Sequence, residues 1–290
     1  MKIAILGASG LLGSSLVPFL RNTPWEIYTI GRDSSNEYIC DVLSRSQLDS
    51  ILSLIKPNII INLVALTDVD FCESNPNLAF LVNVSTVNNI VEWMTVNKES
   101  HLIHISTDQV YDGNGPHLEP YPMLSNYYAF SKYTAEQVAV RVPSTILRTN
   151  FFGKSRCTNR SSFTDWIYES LTQGKKITLF NDVQFSPLSI QSLLSNLKFL
   201  ISSKMLGIYN LASKEGFSKS EFVIQFASKL NLSLDNVDIK SINDVNFMKT
   251  YRPKDMRLNV DKYEKITKLK LPKLKDEINQ VIGDYNEATR

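Results

Sequence analysis

The sequence has little cysteine, no long apolar run and no strong excess of either charge. Its three cysteines, Cys40, Cys72 and Cys157, are widely spaced and match neither a disulfide framework nor a zinc site. Lysine and arginine number 31 against 29 acidic residues, and no basic block argues for nucleic acid. The longest apolar runs, such as 59–65, are too short to span a membrane. We therefore expect a cytoplasmic protein with reduced cysteines and no metal, nucleic-acid or membrane partner.

The first half of the chain alternates short apolar runs with helical stretches. Residues 2–6 lead directly into a glycine-rich turn, so we expect a first strand there rather than a signal sequence. Fully apolar strands are typical of sheets buried on both faces. The pattern predicts an α/β fold with a Rossmann-type, doubly wound parallel sheet. Strands are predicted at 2–6, 26–30, 58–65, 101–106 and 144–149, and helices at 11–22, 47–55, 77–96 and 126–140.

The second half is less regular. Helices are predicted at 161–173, 188–203, 219–230 and 273–285, and strands at 176–180 and 207–213. We expect residues 1–150 to form the Rossmann-type domain and residues 151–290 to form mainly a smaller, C-terminal substrate-binding lobe. Elements near 181–215 are expected to rejoin the sheet.

Glycines follow the first strand with the spacing G-x-x-G-x-x-G and open a helix. Glycine lets the backbone turn sharply and brings amide groups close to a pyrophosphate, and the helix dipole favours that anion. In this context the motif indicates dinucleotide binding rather than an empty tight turn. The expected contacts are Gly7, Ser9, Gly10, Leu11, Leu12 and Gly13.

The end of the second strand bears on the choice between NAD and NADP. An NAD site usually has an acidic residue there, whereas this chain has Arg32 followed by Asp33. Arg32 could pair with a 2′-phosphate and stack on adenine, so NADP(H) is preferred, and Asp33 keeps NAD(H) possible. Other expected cofactor contacts are Asp41, Val42, Asn62, Val64 and Ala65.

Tyr128 and Lys132 lie four residues apart on a predicted helix, so they share a face. A nearby cation favours the phenolate, which lets the phenol exchange a proton with a substrate oxygen near neutral pH. The fourth strand ends in Ser106 and Thr107, and a hydroxyl there can polarise a substrate carbonyl. Asn83 either anchors a water that relays protons to Lys132 or makes a helix–helix hydrogen bond.

Together these motifs resemble the extended short-chain dehydrogenases, in particular the dTDP-4-dehydrorhamnose reductase group. The resemblance runs nearly end to end. The stretches that carry it are the glycine turn, residues 67–76, 82–84, 106–108 and 110–113, Tyr128, Lys132 and Glu136, and residues 147–153 and 252–258.

The resemblance implies a Thr–Tyr–Lys triad in which Thr107 is the hydroxyl member. It implies NADPH-dependent reduction of the C4 keto group of a nucleotide-linked deoxysugar, in nucleotide-sugar or polysaccharide biosynthesis, by a homodimer paired through the helices carrying Asn83 and Tyr128. The nicotinamide would lie beside Phe151 and Phe152, and the substrate diphosphate beside Arg252, with Lys254 and Arg257 as competitors. Residues assigned on this basis are Thr67, Tyr128, Lys132, Asn150 and Phe151 for the cofactor, and Thr107, Asp108, Gln109, Phe152, Trp166 and Arg252 for the substrate.

Other functions are possible on the same scaffold. An epimerase would hold NAD tightly, and the regulatory subunit of methionine adenosyltransferase is a non-catalytic NADP-binding relative of the same group. A dehydratase is disfavoured because it needs an Asp-Glu pair where this chain has Asp108-Gln109. The chain also departs from the group at Ala129, where glycine is frequent, at Gln109, where an aromatic residue is frequent, and in the unmatched segment 154–161. These departures leave the sugar and the base open.

Overall fold

The structure, a computed structural model, describes residues 1–286 and is built around a parallel sheet. The strands are β1 (Lys2–Leu6), β2 (Glu26–Gly31), β3 (Tyr38–Ile39), β4 (Ile59–Asn62), β5 (His101–Thr107), β6 (Ser144–Thr149), β7 (Phe151–Phe152), β8 (Ile177–Phe180), β9 (Gln184–Phe185), β10 (Leu188–Ser189), β11 (Gly207–Asn210), β12 (Phe217–Ser218) and β13 (Val237–Lys240). The helices are α1 (Gly13–Arg21), α2 (Arg45–Ile55), α3 (Val69–Ser74), α4 (Pro76–Phe80), α5 (Thr86–Val96), α6 (Tyr127–Ala139), α7 (Phe163–Thr172), α8 (Ile190–Ser203), α9 (Lys219–Lys229), α10 (Asp261–Thr267) and α11 (Leu274–Asn286).

The central sheet has seven parallel strands in the order β11-β6-β5-β4-β1-β2-β3. The strand order reverses between β1 and β4, and ligands of doubly wound sheets bind at the carboxyl ends of the strands beside such a reversal. The predicted fold class is therefore confirmed, and the predicted return of 207–213 to the sheet is observed as β11 beside β6. Strand β3 was not predicted, because two residues carry no periodic signal.

Side chains on the sheet alternate between two helical layers. Ile3 and Ile5 pack with α1 and α8 on one face, whereas Ala4 and Leu6 pack with α2 and α5 on the other. Both faces are buried, which explains why the strands read as continuous apolar runs.

A third apolar cluster lies in the C-terminal part of the chain and has its own aromatic core. The buried rings in it are Phe152, Phe180, Phe185, Phe222, Phe226 and Tyr285. Helix α7 begins with a capping box, in which Ser162 accepts from the Asp165 amide and Asp165 accepts from the Ser162 amide. This fixes the start of α7, the first helix after β7.

The long helix predicted at 77–96 is divided. Pro76 begins α4, and a wider π-helical turn at Leu81–Ser85 separates α4 from α5. Such π-helical turns are often associated with functional sites, and this one carries Asn83. Across residues 1–286, no helix has the length and apolarity needed to cross a membrane, and no group of three or more potential ligands could hold a metal ion.

Candidate active site

The turn after β1 has a shape that requires glycine. Gly7 has a φ of +79°, in the left-handed region that glycine adopts without strain. A Cβ at Gly7 would lie 3.1 Å from the amide nitrogen of Val64, and a Cβ at Gly13 would lie 2.6 Å from the carbonyl carbon of Ala8. The missing side chains let α1 pack directly against the turn.

The N-terminus of α1 offers free amide groups. Its N-cap residue, Leu12, supplies no side-chain cap, and within residues 1–286 the amide hydrogens of Leu11 and Leu12 have no acceptor. Ser9 is exposed, and its carbonyl accepts a 3.2 Å hydrogen bond from the thiol of Cys157, which places the segment 154–161 against the turn. Uncapped amides at a helix start fit the pyrophosphate of a dinucleotide.

Arg32 and Asp33, directly after β2, differ in what they contact. The Asp33 carboxylate accepts a 2.8 Å hydrogen bond from the Ser35 amide, and hydrogen bonds from Ser35 lower the pKa of Asp33. Arg32 is exposed, and its guanidinium contacts no carboxylate in the described part of the chain. The carboxylate therefore closes a local turn, whereas the cation is available to a ligand.

The remaining cofactor candidates lie along the same carboxyl edge of the sheet. Asp41 accepts a hydrogen bond from a backbone amide two residues on, and Val42 is buried beside it. After β4, Val64 and Ala65 are half-buried and Thr67 is exposed. Since β1, β2 and β4 are neighbours, these residues flank the glycine turn.

Thr107 and Tyr128 meet at the end of β5. Burial raises the pKa of Tyr128 above its ordinary value, while a hydrogen bond with the Thr107 hydroxyl lowers it and the nearby charge of Asp108 raises it. Both side chains are buried. The phenol is therefore protonated at neutral pH, which is the form that a proton donor needs.

Ser106, the neighbouring hydroxyl, is committed elsewhere. Its hydroxyl donates to Glu136, and the same carboxylate accepts from Arg148 through contacts of 3.0, 3.1 and 2.6 Å. Arg148 also donates to the hydroxyl of Tyr111. This buried network engages Ser106 and leaves Thr107 as the hydroxyl beside Tyr128.

Lys132 and Asn83 lie next to the Thr107–Tyr128 pair. The ammonium of Lys132 donates a 2.7 Å hydrogen bond to the Ile105 carbonyl, and burial lowers the pKa of Lys132 to about 8. Asn83 donates both amide hydrogens inside the protein, to the Ser131 hydroxyl on α6 and to the Leu66 carbonyl, and its oxygen accepts from the Leu66 amide. The helix–helix alternative for Asn83 is thus observed, and a relay water could only donate to its oxygen.

Asp108 is a buried carboxylate in the same place. It accepts a 2.7 Å hydrogen bond from Asn150 and a 3.2 Å hydrogen bond from Thr107. Burial raises the pKa of Asp108 to about 6, although these bonds and the charge of Lys219 lower it. Gln109 is half-buried, and its side-chain oxygen is buried without a partner among residues 1–286.

The aromatic candidates fall into two groups. Phe152 is only 1% exposed and packs edge-on against Phe222, so its ring belongs to the core of the lobe. This differs from the expectation that Phe152 contacts the substrate and the nicotinamide. Phe151 is half-buried. Trp166 is 42% exposed and stacks on Phe163 with a centroid distance of 6.1 Å, which leaves a face of its indole accessible.

The three cations proposed for a diphosphate are all paired with carboxylates. The pairs are Arg252–Asp70 at 3.0 Å, Lys254–Asp182 at 3.1 Å and Arg257–Asp255 at 2.6 Å. Lys219 was not predicted from the sequence. It begins an ordinary capped helix, and only the tertiary structure places it opposite Asp108.

Comparison with known proteins places this site in a family. The profile of the RmlD substrate binding domain family matches residues 1–287. Over 236 residues the chain is 28% identical to the probable low-salt glycan biosynthesis reductase Agl14 of Haloferax volcanii, which covers 77% of this chain and 78% of that protein. It is 25% identical to methionine adenosyltransferase 2 subunit beta of Xenopus laevis, over 91% of this chain and 82% of that protein.

The fold agrees with a solved structure of the same group. The crystal structure of dTDP-4-dehydrorhamnose reductase from Bacillus anthracis in complex with NADP superimposes with a TM-score of 0.87 at 24% identity, and the match covers 98% of this chain and 99% of that one. The chain therefore belongs to the RmlD substrate binding domain family and has the fold of the extended short-chain dehydrogenases.

Proposed function

We propose that the protein reduces the C4 keto group of a nucleotide-linked deoxysugar, with NADPH as the reductant. The observation that carries this proposal is that Thr107, at the end of β5, lies beside the buried, protonated phenol of Tyr128, in the same sheet that carries the glycine turn. When bound, NADPH supplies the hydride. Thr107 holds and polarises the carbonyl oxygen, and Tyr128 donates its proton to that oxygen.

Lys132 has a positioning role in this proposal. Its ammonium is buried and bonded to the Ile105 carbonyl, two residues before Thr107 in β5. The Lys132 cation lies on the same helix as Tyr128, and it favours the phenolate that remains after Tyr128 has given up its proton. Asp108 and Gln109, which follow Thr107 in the chain, are the residues that we expect to recognise the sugar hydroxyls.

The preference for NADPH rests on Arg32. Its guanidinium is free, whereas Asp33 is engaged with Ser35, and arginine forms bidentate contacts with a phosphate. The related Bacillus anthracis reductase is in complex with NADP. Residues 1–150 are proposed as the cofactor domain, and residues 151–290 mainly as the substrate lobe.

A matched pair of tyrosine variants tests the reaction. Tyr128→Phe removes the proton donor and is expected to lower kcat about 10²- to 10⁴-fold while NADPH binding, followed by fluorescence, is retained. Tyr127→Phe removes a hydroxyl from the adjacent position of the same helix and should leave turnover unchanged. The assay follows loss of NADPH absorbance with a panel of nucleotide 4-keto-sugars. Equal turnover in wild type and Tyr128→Phe contradicts the proposed role.

The relationship to methionine adenosyltransferase 2 subunit beta makes a binding role the second candidate. A wild-type protein that binds NADPH but oxidises none of it with any keto-sugar would favour that candidate. Protein purified with tightly bound NAD would instead favour an epimerase.

We also propose that the protein forms a homodimer through the face made by α3, α4, the π-helical turn at Leu81–Ser85 and α6. Apolar side chains on this face are exposed, namely Phe71, Leu78, Phe80, Leu81 and Phe130. Exposed apolar side chains on neighbouring helices are typical of a protein–protein interface. Sedimentation velocity of the wild type distinguishes a dimer from a monomer.

A further inference from the structure

The backbone holds Lys219 in place at the start of α9. It is the first residue of α9, directly after the N-cap Ser218, which forms a capping box with Glu221. The amide of Lys219 donates a 2.9 Å hydrogen bond to the Val183 carbonyl. The base of this side chain is therefore fixed, and its position does not depend on a flexible loop.

The ammonium of Lys219 lies over two aromatic rings. It is 3.4 Å from the ring centroid of Phe185 and 4.5 Å from that of Phe163. Within residues 1–286, no carboxylate forms an ion pair with it and no oxygen accepts a hydrogen bond from it. Aromatic faces stabilise a cation but leave its three N–H donors without acceptors.

The ammonium faces the proposed sugar site. Asp108 attracts it electrostatically, although burial lowers the pKa of Lys219 to about 8. Asp108 contacts Thr107 directly, so the charge that interacts with Lys219 is next to the hydroxyl of the proposed reaction site. Phe163, one of the two rings next to the Lys219 ammonium, stacks on the exposed indole of Trp166.

We propose that Lys219 binds the diphosphate of the nucleotide sugar, at the phosphate joined to the sugar. This inference rests on the proposed function. In this proposal three residues bind the three parts of the ligand in turn. Thr107 binds the reacting sugar, Lys219 the anionic linker, and the face of Trp166 the base. The cations predicted from the sequence already have carboxylate partners, whereas Lys219 has donors to spare for phosphate oxygens.

Three variants and two probes test the assignment. The probes are dTDP and UDP, each compared with its nucleoside, and binding is measured by calorimetry in the presence of NADP. Lys219→Met keeps the length of the side chain and removes the charge, and it should weaken binding of the better diphosphate about 10- to 100-fold while binding of the nucleoside and of NADP is unchanged. Lys219→Arg should retain most of the affinity. Lys229→Met, at the exposed end of the same helix, is the matched control.

The outcomes separate this inference from the proposed function. Equal losses for diphosphate and nucleoside, no loss for either, or a wild type that binds neither diphosphate would overturn the role of Lys219. Selective loss of diphosphate affinity supports it even if no keto-sugar is reduced, and in that case only the proposed reaction fails. If Lys219→Met does not fold, Lys219→Gln gives the same comparison with a polar, uncharged side chain.

Discussion

The buried ion pair between Arg148 and Glu136 gives the sharpest prediction about stability. Both side chains are at most 1% exposed. Arg148 contacts both carboxylate oxygens of Glu136 and also donates to the Tyr111 hydroxyl and the Glu119 carbonyl. The substitution Arg148→Met fills much of the same space but leaves the Glu136 charge buried. Within residues 1–286 it then keeps the Ser106 hydroxyl as its one hydrogen-bond donor, with the charge of Lys132 nearby but not bonded to it.

Breaking one side of such a pair costs about 3–5 kcal/mol, a large share of the roughly 5–15 kcal/mol by which folded proteins are stable. Urea unfolding, followed by circular dichroism, measures the loss. The control is Arg141→Met. Arg141 pairs with Glu92 at 3.4 Å on the surface, with the two side chains 50% and 31% exposed, and exposed pairs contribute only about 0–1 kcal/mol.

A double variant identifies the cause of the loss. Replacing Arg148 by Met and Glu136 by Leu removes both charges, and apolar replacement of a buried pair is often nearly neutral. The double variant should therefore recover most of the stability lost in Arg148→Met. If Arg148→Met loses no more than the Arg141→Met control, or if the double variant recovers nothing, an uncompensated buried charge is not the explanation.

Three further predictions follow from the site. Gly13→Ala should abolish NADPH binding in a fluorescence titration, because its Cβ would lie 2.6 Å from the Ala8 carbonyl carbon, whereas Gly283→Ala, with nothing within 4 Å of its Cβ, should leave binding intact. Arg32→Ser should weaken NADPH about 10-fold or more and NADH little, and equal effects would remove Arg32 from the 2′-phosphate. The raised pKa of Asp108, about 6, means that the protonated carboxyl stabilises the fold at low pH and that this contribution is lost as the pH rises through 6. The unfolding free energy of Asp108→Asn, relative to that of the wild type, should therefore rise by up to about 3 kcal/mol between about pH 4 and pH 7. A difference that is constant across these pH values would contradict the burial of the charge.

Periodicity and motif spacing determined the fold class and most of the element order. Continuous apolar runs predicted the buried parallel strands, because a strand covered on both faces has no polar side. The helix predicted at 77–96 was wrong in its continuity, because a π-helical turn at Leu81–Ser85 leaves no distinct trace in apolar periodicity. Helix α10 was missed because it is short and mostly polar.

Local sequence also located the glycine turn and the Tyr128–Lys132 spacing, since both are set by contacts within a few residues. The tertiary structure decided everything that depends on distant segments: that Ser106 is committed to Glu136 and Arg148, that Phe152 is buried against Phe222, and that Lys219 faces Asp108. Residues 108 and 219 are far apart along the chain, and no residue pattern records which side chains meet when the lobe packs on the sheet. Burial and charge pairing arise only at that step, so they follow from the packed structure and not from the motifs.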